Sequence, residues 1–345
     1  MGPKSQARSG FAEVQHAARL SVAPMMDWTD RHCRYLHRIL SREALLYTEM
    51  VTAPALVQGG ALHLLDYNPE EHPVALQLGG SDPQELAKAT RLGADVGYDE
   101  INLNVGCPSD RVQSGTFGAV LMRQPELVAD CVAAMAEASD VEVTIKCRIG
   151  VDEQEPEEVL PDFLEKTSAA GVTRFTIHAR KAWLQGLSPK ENRDIPPLDY
   201  DLVKRMKAAY PHLHISINGG IASLDLAEEL LAAGLDGVMI GRAAYHNPAD
   251  ILVEADRRIY GGARQITAHD AVREMLPYIE RHLDGGGKLH QITRHMLGLF
   301  SGRPGARAWR RVLSENATKP GAGVALVEEA LSHVAEFDGS EARSA

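Results

Sequence analysis

Apolar residues in this chain gather into short, β-rich runs that recur at intervals of roughly 25 to 45 residues: "LSVAPM" (20–25), "ALLYTEMV" (44–51), "VALQLGG" (74–80), "EINLNVGCP" (100–108), "VTIKCRIG" (143–150), "RFTIHARK" (174–181), "HISINGG" (214–220) and "GVMIGRA" (237–243). Helical spacing fills the gaps. "DPQELAKATRLGA" begins with Asp82 and Pro83, and "SLDLAEELLAAGL" opens at Ser223 and closes at Gly234, so both carry helix start or stop signals. Eight such strand and helix units over roughly 230 residues predict a closed (β/α)8 TIM barrel, an α/β fold, in preference to an open doubly wound sheet.

Beyond about residue 250 the alternation stops. "ITAHDAVREMLPYIERHL", "KLHQITRHMLGLF" and "ARAWRRVLSEN" read as amphipathic helices separated by "DGGG" and "SGRPG", which predicts a small C-terminal all-helical domain. The expected organisation is a flexible tail over 1–19, the barrel over 20–255, the helical domain over 256–338 and a second flexible tail over 339–345. Neither tail has the apolar content that strong docking requires.

Composition narrows the class. The chain has 345 residues, 44% hydrophobic, with no apolar run near ~18 residues and no secretory stretch among the first twenty. A cytoplasmic protein with no membrane contact is the expectation, and no obligatory protein partner is evident. Cys33, Cys107, Cys131 and Cys147 form no C-x-x-C pair, so neither disulfides nor a bound metal are expected. A net charge of −11 argues against a nucleic-acid partner until its distribution is considered: from Arg257 to Glu315 eleven Lys and Arg face five acids, a local charge of +6. A solvated helical surface and a phosphate-binding one both remain open here, and composition alone favours the first.

In a parallel barrel, the carboxyl ends of the strands face the active site. Polar residues there need a reason. Gln77, Asn104, Cys107, Lys146, Arg148, His178, Arg180, Asn218 and Arg242 all fall at such ends. Singly, each is more often a satisfied core polar group; on one rim, together, they mark a site. "INGGI" and "MIGRA" add small residues after strands seven and eight, where barrels commonly hold a phosphate, although tight turns alone would also use the Gly219–Gly220 pair.

The successive segments "VAPMMDWTDRHCR", "INLNVGCPS", "TIKCRIG", "TIHAR", "INGGI" and "IGRAAYHNP" resemble the motifs of the tRNA-dihydrouridine synthases, flavin-dependent oxidoreductases built on a TIM barrel with a C-terminal helical domain. "ARKAWLQGLSPKENRDIPPLDY" and "PGARAWRRVLSEN" are similar to the subfamily that reduces uridines 20 and 20a of the tRNA D-loop. The resemblance implies FMN as cofactor, NADPH (or NADH) as reductant and tRNA as partner, with hydride passing from the flavin N5 to C6 of a flipped-out uracil. Cys107 would then be the proton donor to C5, a task that suits a thiol because its ordinary pKa of ~8.5 keeps it protonated near neutrality. By the same resemblance Pro24, Met25 and Met26 pass beneath the flavin, Gln77 meets the isoalloxazine edge, and Lys146 and His178 contact the cofactor. Asn218, Gly219, Gly220, Gly241 and Arg242 would hold its phosphate, while Asn104, Lys190, Arg193, Arg307 and Arg310 would contact tRNA.

No G-x-G-x-x-G follows an early strand, so NADPH is expected to visit the open face of the flavin without a dinucleotide fold of its own. Gly115 and Gly118 are candidate hinges of a loop that closes after Cys107, and Thr116 stands where the family commonly has a basic residue. Two other functions are compatible with part of the pattern. One is a flavin barrel acting on a free pyrimidine or enone, as in dihydroorotate dehydrogenases or old yellow enzyme; the other is an RNA-binding barrel without redox activity.

Overall fold

The structure, a computed structural model, describes residues 3–109 and 117–336, with side chains from residue 10 onward. Gly115, Thr116 and the expected 339–345 tail lie outside the described residues. Eight parallel strands pair in sequence order and close: β1 (Leu20–Val22), β2 (Leu45–Thr52), β3 (Val74–Gly79), β4 (Glu100–Val105), β5 (Glu142–Arg148), β6 (Arg174–His178), β7 (His214–Asn218) and β8 (Gly237–Ile240). The apolar runs of the sequence extend past most of these strands at the carboxyl end. Those extra residues leave the ladder and form the mouth of the barrel.

Local chemistry accounts for the alternation. The helix Pro83–Val96, for example, starts where the Asp82 carboxylate accepts the Glu85 N–H at 2.9 Å and stops at Gly97 in a left-handed conformation (φ 102°). Side chains alternate across each strand, so one set packs apolar residues under the helices and the other fills the barrel. The filling set is unusually polar: Tyr47 on β2, Gln77 on β3, Glu100, Asn102 and Asn104 on β4, Thr144 on β5, and Arg174 and Thr176 on β6 are all buried. Such an interior is stable only if these groups satisfy one another.

The expectation of a flexible tail over 1–19 is corrected. Pro3–Ala17 is helical, and Val14, Ala17 and Ala18 are buried against Leu45, Tyr47, Ala75 and Met239, so the end of this segment plugs the amino-terminal mouth of the barrel. The plug consists of three small apolar side chains, which a search for long apolar stretches overlooks. Gly237 makes room for the plug: a Cβ there would stand 2.2 Å from the Ala18 carbonyl oxygen and 2.4 Å from Ser216 Oγ.

Helices Ala268–Asp284, Leu289–Met296, Ala306–Asn316 and Val324–Ser332 form the C-terminal region, and the last of them has no counterpart among the helices that the sequence predicts. Trp309 is its fully buried centre, donating its indole N–H to the Met296 carbonyl at 3.1 Å. The region docks on the barrel helix Arg31–Leu40, where Tyr35 and Tyr278 stack with ring centroids 3.9 Å apart and His32 Nδ1 meets the Tyr278 hydroxyl at 2.7 Å. Asp30 caps that helix through the N–H groups of His32 and Cys33 and also pairs with Arg294 and His295. Burial alone would raise the Asp30 carboxyl, but His295, the Cys33 N–H and Arg294 outweigh it and hold the pKa well below the ordinary range.

This packing makes stability depend on pH. Burial pushes the imidazole of His37 down from 6.5 to about 3 and that of His32 to about 4, so the unfolded chain binds protons at pH values where the folded one does not. Stability supplied by these neutral rings is complete above pH 6.5 and declines as pH falls toward their folded values, by up to ~1.4 kcal/mol per pH unit for each ring. His37→Leu should flatten the dependence of Tm on pH between 6.5 and 4; the same slope in wild type and variant would contradict this. Gly237→Ala should destabilise the barrel by about 1–3 kcal/mol through overpacking against the plug, measured by urea denaturation, and an unchanged midpoint would show that the plug yields freely.

Candidate active site

At the carboxyl-terminal mouth, β4 ends in a turn built by Asn104. Its Oδ1 accepts the backbone N–H of Gly106 at 3.1 Å and of Cys107 at 2.9 Å, which fixes the peptide that carries the thiol. The Cys107 carbonyl accepts the Ala119 N–H at 2.9 Å, and the thiol donates to Ser109 Oγ at 3.4 Å. Cys33, Cys131 and Cys147 are buried, leaving Cys107 as the accessible thiol. Gly118, the second hinge candidate, is buried at the start of the 3-10 helix Gly118–Arg123 and has a left-handed φ of 75°.

Facing this turn stands a cluster of cations. Lys146 on β5 donates to Asn218 Oδ1 at 3.1 Å, and burial, helped by the neighbouring Arg148, lowers its ammonium to about 8. Arg148 is itself buried without a carboxylate partner among the described residues. Its guanidinium donates to the carbonyls of Gly106 (3.0 Å), Lys181 (3.1 Å) and Asn192 (3.0 Å), joining the cysteine turn to the long loop after β6. Arg193 belongs to the same electrostatic neighbourhood, since Arg242 lowers its pKa while Asp194 and Cys107 raise it, after burial as the leading cause. His178 is held well below 6.5 by burial and then by Arg148, Lys146, Arg180 and Arg193, so its ring is neutral, and its buried Nδ1 has no partner among the described residues.

The phosphate candidates also converge. Gly219 (φ 115°) and Gly220 (φ 69°) take left-handed conformations after β7, beside His178 and Leu198, and a Cβ on Gly220 would stand 2.6 Å from Leu198. Asn218 donates to the Met239 carbonyl at 2.8 Å, tying β7 to β8. Gly241 faces Ala23 and Met25 without a close contact, and Arg242 opens the helix Arg242–His246 with its guanidinium 2.7 Å from Asp194. Pro24, Met25 and Met26 occupy the turn after β1, where Thr29 Oγ1 accepts the Met25 N–H at 3.0 Å; Met26 is exposed. A planar, anionic cofactor fits these residues: an orphaned imidazole nitrogen, a glycine cradle, and cationic side chains with few acids among them.

Several predicted residues thus share the mouth, while others are placed differently. Gln77 lies below it, fully buried and bonded to Asn102 and Asn104. Asn104 has its oxygen and one N–H committed inside the protein, which leaves a single N–H for any substrate contact. Arg307 and Arg310 are on the helical region and exposed. Five of the eleven basic residues counted there, Arg257, Arg258, Arg264, Arg273 and Arg294, pair with carboxylates, whereas Arg281, Lys288, Arg303, Arg307, Arg310 and Arg311 have none within bonding distance among the described residues. Four of these six, Arg303, Arg307, Arg310 and Arg311, lie on or just before helix Ala306–Asn316. The sequence puts Arg148 on the rim and assigns it no role; the partners that define its role are main-chain carbonyls, which no side-chain motif reveals.

Comparison with known proteins places this geometry. Residues 21–336 match the family model described as Dihydrouridine synthase (Dus). A Vibrio vulnificus (strain CMCP6) protein named tRNA-dihydrouridine(20/20a) synthase is 57% identical over 323 residues, covering 93% of this chain and 98% of its own length. The protein of the same name from Shewanella oneidensis is 60% identical over 315 residues, covering 91% and 93%. Among solved structures, TcOYE with pHBA superposes with a TM-score of 0.50 at 12% identity, covering 73% of this chain and 92% of that one, a likeness of fold alone. With a family match across the barrel and most of the helical region, and relatives this similar over nearly full length, the chain belongs to the dihydrouridine synthase family.

Proposed function

We propose that this protein reduces uridine to 5,6-dihydrouridine in the D-loop of tRNA, at positions 20 and 20a, using FMN and NADPH, with Cys107 as the proton donor. The observation that carries the reading is the accessible Cys107 thiol, fixed by Asn104 at a mouth ringed by Lys146, Arg148 and Arg193. The naming of relatives 57–60% identical as tRNA-dihydrouridine(20/20a) synthases supports the positions.

The bound flavin would supply the hydride for C6 of the uracil. Cys107 would deliver its Sγ proton to C5, and solvent would then reprotonate the sulfur. Pro24, Met25 and Met26 would support the cofactor through the β1 turn, with Gln77, Lys146 and His178 bonding its ring system. A neutral His178 offers both a donor and an acceptor. Asn218, Gly219, Gly220, Gly241 and Arg242 would hold the phosphate, for which Asp194 then competes at Arg242. NADPH has no dinucleotide fold of its own and would approach the open mouth.

A uridine inside tRNA must leave its stack, at a cost of a few kcal/mol, and contacts to phosphates have to compensate. Asn104 would meet the flipped base with its remaining N–H, Lys190 and Arg193 would meet the strand beside the mouth, and Arg307 and Arg310 would bind phosphates from the helical region, residues 256–338. This division of labour implies a cytoplasmic enzyme working on folded tRNA.

Mass spectrometry of tRNA lacking dihydrouridine, after incubation with the purified yellow protein and NADPH, should locate the product at 20 and 20a. Cys107→Ala should lower the rate roughly 100-fold or more while leaving NADPH oxidation by the flavin intact. Product from free uridine and none in tRNA would move the assignment to a small-molecule flavin barrel. Replacing Arg307 or Arg310 by alanine should weaken tRNA binding and reduce the slope of log affinity against log salt by about 1 for each phosphate no longer neutralised. Affinities equal to wild type across the salt series would remove these two residues from the interface.

A further inference from the structure

A chain of side-chain hydrogen bonds runs through the barrel interior from its floor to the cysteine turn. At the floor, Arg174 donates to Glu100 Oε2 at 2.6 Å, and Tyr47 donates its hydroxyl to Glu100 Oε1 at 2.7 Å. The Thr144 hydroxyl donates to the same Glu100 Oε1 and accepts from Asn102 Nδ2 at 2.8 Å. Asn102 Oδ1 accepts from Gln77 Nε2 at 2.8 Å, and Gln77 Oε1 accepts from Asn104 Nδ2 at 2.8 Å. Asn104 Oδ1 finally accepts the N–H groups of Gly106 and Cys107.

The direction of every link is dictated from both ends. A carboxylate paired with a guanidinium can only accept, so the single Thr144 proton must point to Glu100 and its oxygen must accept from Asn102. Each carboxamide above then has one permitted orientation. Backbone N–H groups can only donate, and they impose the same polarity from the mouth. All these side chains are buried, so a flipped amide would leave donors facing donors.

We infer that Glu100, Thr144 and Asn102 are positioning residues for the reaction: anchored by Arg174, they orient the carboxamides of Gln77 and Asn104 and thereby the turn that presents Cys107. None of the three touches the mouth. Their action is to make the amide face that Gln77 offers the cofactor, and the place of the Cys107 thiol, single-valued. This inference rests on the function proposed for Cys107 and Gln77.

Thr144→Val tests it with the least disturbance, since it keeps shape and charge and removes only the hydroxyl; Glu100→Gln, which strips Arg174 of a partner, risks the fold and serves as a second variant. With Asn102 no longer committed, kcat for tRNA reduction should fall on the order of 10-fold or more while KM for tRNA stays within about twofold, because remote misplacement acts on the reacting geometry. Alkylation of Cys107 by iodoacetamide in the native holoenzyme, readable because the other three cysteines are buried, should change rate roughly several-fold in parallel. Thr144→Ser should restore both. A Thr144→Val protein with lowered Tm but wild-type kcat and alkylation rate would show that the chain serves stability alone and overturn the inference, as would a raised KM at constant kcat. Should Cys107→Ala retain full activity, the proton-donor reading fails, and the alkylation comparison still decides whether Thr144 governs the turn.

Discussion

The ion pair between Arg174 and Glu100, buried at the floor of the barrel with Glu142 as a second carboxylate, is the interaction on which the interior depends. Burial alone would lower the pKa of the guanidinium, but the two carboxylates outweigh it and hold its pKa above the ordinary arginine value. Removing one partner of such a group typically costs about 3–5 kcal/mol, because an unpaired charge remains in a medium that cannot solvate it. A barrel filled with aliphatic layers would not need this arrangement. Here it gives the polar filling a fixed acceptor at one end, so that the hydrogen bonds above it have a defined sense.

That constraint explains features of the mouth that otherwise look independent. Asn104 and Asn218 both spend their carboxamides on protein groups, the first on the cysteine turn and Gln77, the second on Lys146 and the Met239 carbonyl. Lys146 is thus aimed by a residue of a different strand. The buried Arg148 does the complementary work on the main chain, holding the Gly106 carbonyl against the loop that carries Arg193. Preorganised charge of this kind is effective because it does not reorganise when charge develops on a reacting group. Asp194, at the exposed edge beside Arg242, partly offsets the cation cluster.

Much of this is legible in the sequence, for reasons that differ by element. Strand positions are readable because each strand leaves a short run rich in apolar and β-branched residues, and their ends are overestimated because "GCP", "IG" and "GG" prolong the runs after the ladder has stopped. The rim residues are readable from topology, which puts every strand end on one face. What stays hidden depends on pairing across distance. The plug formed by Val14 and Ala17 is too small to register as an amphipathic signal, and the alternation of Glu100, Asn102 and Asn104 along β4 announces a polar inner face without saying which strands answer it. The charge of the helical region can be counted from the sequence but not interpreted there, since carboxylates such as Asp225, Glu228 and Asp30 that neutralise Arg258 and Arg294 come from the barrel.

That last point bears on how the two regions work as one. Neutralisation by the barrel turns Arg258 and Arg294 into docking contacts, and the Asp30 hub makes the same carboxylate cap a barrel helix and hold Arg294 and His295. The turn Met25–Thr29, which begins three residues after β1, ends immediately before Asp30. The helical region is therefore fastened to the loop at the edge of the mouth and not merely to the barrel's outer wall. A surface carrying Arg303, Arg307, Arg310 and Arg311 is in this way held in fixed relation to Cys107. Recognition of a folded RNA by shape requires such a fixed distance, because phosphates bound far from the reacting base can position that base only through rigid protein.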